Sequence, residues 1–169
     1  MDVFERALAR LDALSPDEAE AAFLACCGAR RWARAMAAGR PYGTAADLEA
    51  AADRHFDALD RNDWLEAFAA HPRIGETPGQ GHGAAWSREE QAGAAGAEAA
   101  VRAELARANR LYDERFGHIF IVCATGKSAG EMLALLRQRL GNEPAAELPI
   151  AALEQRKITH LRLARLLAE

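Results

Sequence analysis

The chain has 169 residues, half of them hydrophobic with the excess in alanine, 7% aromatic, and a net charge of −4. That length favours one domain with a sizeable core, and few β-branched residues among many Ala, Arg and Glu favour an all-α protein on propensity. The weak acidity argues against nucleic-acid binding as the main task, and no apolar run reaches the roughly 18 residues of a membrane span.

Cys26, Cys27 and Cys123 are odd in number and lie in apolar surroundings, so they read as reduced core cysteines rather than a disulfide framework. Charge begins at Asp2, which speaks against a signal peptide, and the closing Leu-Leu-Ala-Glu is not a peroxisomal tripeptide. The expectation is a soluble, cytoplasmic protein.

Residues 2–13 place Val3, Phe4, Ala7, Leu8, Leu11 and Leu14 at three- and four-residue spacing, an amphipathic helix. Ser15-Pro16-Asp17-Glu18 is a capping box with proline at the first helical position, and Gly28 closes that helix. A short helix follows over 30–38, ended by Gly39 and Pro41, and Thr44 caps another to Leu59 with Leu48, Ala51, His55, Ala58 and Leu59 inward. Asn62 or Asp63 opens a helix that stops at His71, because a proline follows and disfavours helical backbone before it.

Residues 72–86 carry Pro72, Gly75, Pro78, Gly79, Gly81 and Gly83 and predict a long loop; loops of about 15 residues in compact domains are usually functional or disordered. Ser87-x-x-Glu90 then opens a helical stretch to Phe116, with Gly93 and Gly96 inside it and Gly117 as its C-cap. His118–Cys123 looks like a strand by propensity, yet nothing else in the chain would pair with it. It is expected as a buried extended connector whose backbone finds other partners. Ser128-Ala129-Gly130-Glu131 caps a helix over 129–140 stopped by Gly141, and the last helix starts at Pro144 or Pro149. With no repeat or linker, the fold is a single-domain all-α irregular bundle over 1–169, of about seven to nine helices.

His71, held before Pro72 at the lip of the loop, is a well-placed titratable group for acid–base work. Ser87 and Glu90 have a sufficient explanation as a capping box, but the same carboxylate could face His71 across the loop, with Gln91 presenting its amide nearby. Ala124-Thr125-Gly126-Lys127-Ser128 lacks the glycine a phosphate loop needs at position 121, which is Ile121, so a turn into a capped helix accounts for it. His55, His71, His82, His118 and His160 show no ligand spacing, so a metal site is not expected. Arg162 lies in the apolar row Ile158–Arg162–Leu166; it can snorkel to solvent, or offer a bidentate fork to a carboxylate.

Five segments occur in order: His71-Pro72-Arg73-Ile74-Gly75-Glu76, Trp86-Ser87-Arg88-Glu89-Glu90-Gln91-Ala92-Gly93, Asn109-x-x-Tyr112-x-x-Arg115-Phe116-Gly117-His118-Ile119-Phe120-Ile121, Ala124-Thr125-Gly126-Lys127-Ser128 and Glu154-x-x-Lys157-Ile158-x-x-Leu161-Arg162-Leu163. Together they resemble the OHCU decarboxylase family, which acts on 2-oxo-4-hydroxy-4-carboxy-5-ureidoimidazoline in the last step from urate to allantoin. The resemblance implies an all-helical, usually homodimeric enzyme that works on a small molecule without metal or organic cofactor. It implies catalytic roles for His71 and Glu90, and substrate contacts by Pro72, Ser87, Gln91, the backbone of Ile119, Phe120 and Ile121, and Arg162. The rival readings are a metal-dependent hydrolase of a related ureido compound and a non-catalytic helical interaction module.

Overall fold

The structure is a computed structural model that describes residues 1–74, 82–92 and 99–169, with backbone alone at 82–84. Nine helices are present among the described residues, and no strand. They are α1 (Val3–Ala13), α2 (Pro16–Cys26), α3 (Arg30–Ala38), α4 (Ala45–Asp57), α5 (Arg61–Ala69), α6 (His82–Glu90), α7 (Ala99–Phe116), α8 (Ala129–Leu140) and α9 (Pro144–Leu166). None of these helices is long and apolar enough to cross a membrane. By packing, the chain divides into two compact units, Met1–Ala67 with Arg156–Glu169, and Phe68–Gln155.

Local chemistry decides most helix starts. Asp2, Ser15 and Ser128 form complete capping boxes with Glu5, Glu18 and Glu131, and the Thr44 hydroxyl accepts from the Asp47 amide. α5 begins one or two residues ahead of expectation. Its box is Asp60 with Asp63, each carboxylate accepting the other's backbone N–H at 3.1 and 3.0 Å, so the earlier acidic residue captures the end. Gly117 and Gly126, at φ +75° and +78°, take the left-handed backbone that closes α7 and turns the chain towards α8.

In the unit formed by the two chain ends, α2 packs on α3, and α3 and α1 on α4. Phe23, Trp32, Met36 and Leu48 are wholly buried there. Trp32 meets Phe23 edge to face at 6.0 Å, and its indole N–H donates to the Ala52 carbonyl at 3.0 Å. Of the inward positions expected on α4 and just beyond, Leu48, Ala51 and Leu59 are buried and His55 is half-buried, but Ala58 is exposed and Phe56 takes an inward place instead. On α1 the buried stripe is Ala7, Leu8 and Leu11, while Val3 and Phe4 stand exposed. Asp53 of α4 accepts from His160 Nε2 at 2.6 Å and Arg156 Nε at 2.9 Å. Burial would raise that carboxyl, but the two hydrogen bonds outweigh it and hold the group below the usual range.

Cys26 and Cys27 lie in this core, at 0% and 1% exposure, and with buried Cys123 they are free thiols. Burial pushes Cys26 up to about 12 and Cys27 up to about 11, against partial lowering by Arg162 on both and by the Ala29 backbone and Thr159 on Cys27.

A group raised on folding contributes stability that is complete below its unfolded value and is lost as pH rises towards the folded one. Stability measured by urea is therefore expected to decline as pH climbs from 9.0 towards about 11, and to decline less in Cys26→Ala/Cys27→Ala. At pH 8, Ellman's reagent is expected to leave Cys26 and Cys27 untouched until guanidinium is added. Rapid reaction of both in the native protein would contradict their placement.

Candidate active site

The unit Phe68–Gln155 is built on a core of Ile74, Leu105, Tyr112, Phe120, Val122, Met132 and Leu136, with α7 packed on α8. Through it runs the connector, residues 118–123. Phe120, Ile121 and Val122 are buried to 4% exposure or less, and no strand lies beside them among the described residues. Three of its backbone groups bond to side chains instead. The Ile121 carbonyl accepts from Arg139 Nη1 at 2.5 Å, the Cys123 amide donates to Glu154 Oε1 at 3.1 Å, and the Cys123 carbonyl accepts from Lys127 Nζ at 2.7 Å. Lys127, the cation of the phosphate-loop look-alike, is therefore bound to its own backbone.

Arg139 is an internal cation at 7% exposure, opposed by Glu147 at 0%. Its Nε donates to Glu147 Oε1 at 2.7 Å. Its Nη2 lies 2.5 Å from the same oxygen but outside hydrogen-bonding geometry, so that approach is purely electrostatic. Glu147 also accepts from Tyr112 at 2.6 Å and from Asn142 at 2.9 Å. The guanidinium sits 4.6 Å from the Phe120 ring centroid, a cation–π contact that fixes the connector's central side chain. Burial first, then the bond to Glu147, pushes the Tyr112 hydroxyl far above its ordinary value, so it serves as a donor.

The tetrad His71–Ile74 is held from two helices. Its His71 amide bonds back to the Phe68 carbonyl at 3.1 Å, so the helical pattern ends there as the following proline demands. The ring is half-buried, with Nε2 2.7 Å from Oε1 of Gln155, a wholly buried residue of α9. From α7, Asp113 binds the Arg73 guanidinium, and the Asn109 amide reaches the Ile74 carbonyl at 3.4 Å. Glu154 and Gln155, successive residues of α9, thus hold the connector and His71 respectively.

Two expectations need correction around Ser87. The helix there runs His82–Glu90, so Ser87 is not an N-cap but an interior residue, its carbonyl accepting from the Gln91 amide at 3.1 Å. Residues 82–86 of the predicted loop are accordingly helical, and among the described residues the single helix expected from Ser87 to Phe116 is interrupted by a turn at Gln91; residues 75–81 and 93–98, with Gly93 and Gly96, lie outside the described residues. The physical reason is burial. Trp86, Ser87 and Glu90, at 4%, 4% and 8% exposure, form one inward face of α6, and that packing overrides a local capping signal. Gln91 follows in a turn, half-buried. Glu90 acts on the connector: burial raises the Cys123 thiol, Lys127 opposes, and the charges of Glu154 and Glu90 add to the rise.

His71, Pro72, Ser87, Glu90, Gln91 and Ile119–Ile121 therefore all belong to the unit Phe68–Gln155, whereas Arg162 belongs to the other. Arg162 does not snorkel. It is 6% exposed and its Nη1 donates to the Ala25 carbonyl at 3.0 Å. Gln155, Asp113 and the Arg139–Glu147 pair stand outside the residues singled out in the sequence, and Asn109 figures there only as a motif residue without a role. For Gln155 a signal existed: Ala151, Gln155, Ile158 and Arg162 recur at helical spacing and all are buried, so a polar residue at 155 interrupts an apolar stripe. No group of three or more His, Cys, Asp or Glu converges as a metal site among the described residues.

The sequence profile of the family described as OHCU decarboxylase matches residues 12–164. The chain is 41% identical over 148 residues to the uric acid degradation bifunctional protein TTL of Arabidopsis thaliana, covering 85% of this chain but only 46% of that protein. It is 39% identical over 134 residues to the 2-oxo-4-hydroxy-4-carboxy-5-ureidoimidazoline decarboxylase of Amia calva, covering 78% of this chain and 77% of that one. An OHCU decarboxylase crystallised in the presence of (S)-allantoin matches with a TM-score of 0.77 and 40% identity, over 87% of this chain and 97% of that one.

Removing one member of a buried ion pair strands the other, at a cost of about 3–5 kcal/mol. Arg139→Ala is expected to lower the urea midpoint by that equivalent, since it strands Glu147 and the Ile121 carbonyl together. The double variant Arg139→Ala/Glu147→Ala is expected to lose less than the two single losses combined. Strict additivity would show that the pair is not coupled.

Proposed function

Because the chain belongs to the OHCU decarboxylase family, we propose that it decarboxylates 2-oxo-4-hydroxy-4-carboxy-5-ureidoimidazoline to (S)-allantoin in urate degradation, without a cofactor. The observation that carries this reading is the likeness, over most of both chains, to an enzyme of that name crystallised with (S)-allantoin. The whole of residues 1–169 acts as one catalytic domain, as a cytoplasmic homodimer.

The substrate's carboxylate sits on a ring carbon next to a C=N group. When the carbon–carboxylate bond breaks, its electron pair passes into that C=N, and a proton is then returned to carbon. The protein must therefore orient more than it must react. Holding the carboxylate out of the ring plane aligns the breaking bond with the π system. Arg162 is the clamp for that carboxylate, a role its burial favours, because a guanidinium among apolar neighbours binds a carboxylate with little competition from water. Pro72 lines the ring, Ser87 and Gln91 bond its ureido or ring polar groups, and the backbone of Ile119, Phe120 and Ile121 completes the grip.

His71 and Glu90 form the acid–base pair. His71 moves a proton at the hydroxyl or at the carbanionic carbon, and Glu90 is its partner. Two observations support this: His71 is held by a buried amide, and Glu90 is itself buried on the inward face of α6 beside Ser87. Return of the proton from one face gives a single enantiomer.

The test is optical. With urate, uricase and hydroxyisourate hydrolase supplying fresh substrate, the protein is expected to yield (S)-allantoin where spontaneous decay yields a racemate. His71→Ala and Glu90→Ala are each expected to lose roughly 10²–10⁴-fold in rate with helical content intact. Near-normal turnover in both would sink the assignment. Arg162→Lys loses the planar fork and is expected chiefly to raise KM.

A further inference from the structure

The contact between His71 and Gln155 carries more than support. Gln155 presents its side-chain oxygen to His71 Nε2 at 2.7 Å. An amide oxygen can only accept a hydrogen bond, so the ring nitrogen facing it must carry the hydrogen. Gln155 is wholly buried, where an amide that loses its partner is not rescued by bulk water. Its neighbour Glu154 is tied to the connector through the Cys123 amide, which steadies this turn of α9.

We propose that Gln155 is a positioning residue for the reaction, holding the neutral His71 ring as its Nε2–H tautomer so that the proton exchanged with substrate travels on Nδ1. The proposal rests on the reading of His71 as the proton-transferring group. Its physical merit is that the hydrogen bond survives the chemistry. Imidazole and imidazolium both carry hydrogen on Nε2, so Nδ1 can gain and lose a proton without any change in the contact to Gln155. Neither side chain has to move during turnover.

The experiment is ¹⁵N NMR of the full-length protein labelled at histidine, with the His71 signals assigned by their loss in His71→Asn. Above the pH at which the ring deprotonates, Nε2 is expected at a protonated, pyrrole-like shift and Nδ1 at an unprotonated, pyridine-like one. The reverse pattern in the unsubstituted protein overturns the proposal, since it would mean that the amide presents its nitrogen. In Gln155→Leu the two tautomers are expected to mix, and kcat to fall by about 10- to 100-fold, part of the roughly 10²–10⁴-fold an acid–base group supplies. KM is expected to stay nearly unchanged. Gln155→Glu, whose carboxylate also only accepts, is expected to keep the Nε2–H tautomer. A folded Gln155→Leu protein with full kcat and an unaltered tautomer also overturns the proposal; if that variant does not fold, the tautomer of the unsubstituted protein decides. The Nε2–H pattern together with normal turnover in His71→Ala would instead refute the catalytic reading of His71 and leave the tautomer assignment standing.

Discussion

An apolar segment cannot be buried without a destination for its peptide groups, and residues 118–123 have no strand beside them among the described residues. That requirement organises the unit Phe68–Gln155. Arg139, Glu154 and Lys127 supply partners for the Ile121 carbonyl and the Cys123 peptide groups, and each brings a charged side chain into or near the core to do so. Arg139 is then tolerable only because Glu147 opposes it, and Glu147 is further stabilised by hydrogen bonds from Tyr112 and Asn142. One irregular stretch of backbone therefore dictates polar residues on α7, α8 and α9, in positions that would otherwise be apolar.

The same helices that satisfy the connector also fix the His-Pro tetrad. Asn109 and Asp113 lie one turn apart on α7, with Tyr112 beside them facing Glu147. Glu154 and Gln155 on α9 divide their work between the connector and His71. A ring that must exchange protons with a ligand benefits from a frame set by buried hydrogen bonds rather than by a loop, because small displacements at a reacting centre are costly in rate. In the other unit Arg162 is similarly built in, buried, with one nitrogen committed to the Ala25 carbonyl.

Much of the helical order was legible in the chain because it depends on contacts three or four residues apart. Ser15, Thr44 and Ser128 cap helices through their own neighbours, and the prolines and glycines that end helices act through backbone geometry. Ser87 and Glu90 show where that grammar fails. Their spacing matches the boxes at Ser15 and Ser128, yet burial with Trp86 places them inside α6. The motifs pointed to His71, Glu90 and Arg162, and the latter two are buried, but the residues that hold the His71–Ile74 tetrad lie 35 to 84 positions further along the chain. No local rule links His71 to Gln155 or Arg73 to Asp113.

The all-helical class, most helix ends, the family and the polar residues of the motifs could be read from the chain before it folds. These follow from intrinsic propensity, short-range capping and an ordered set of motifs. It took the folded chain to show that the strand-like connector is bonded by side chains, that Ser87 is interior rather than a cap, and which atom of which residue faces the His71 ring. Those outcomes depend on which polar groups are buried together, and burial is a property of packing between distant segments.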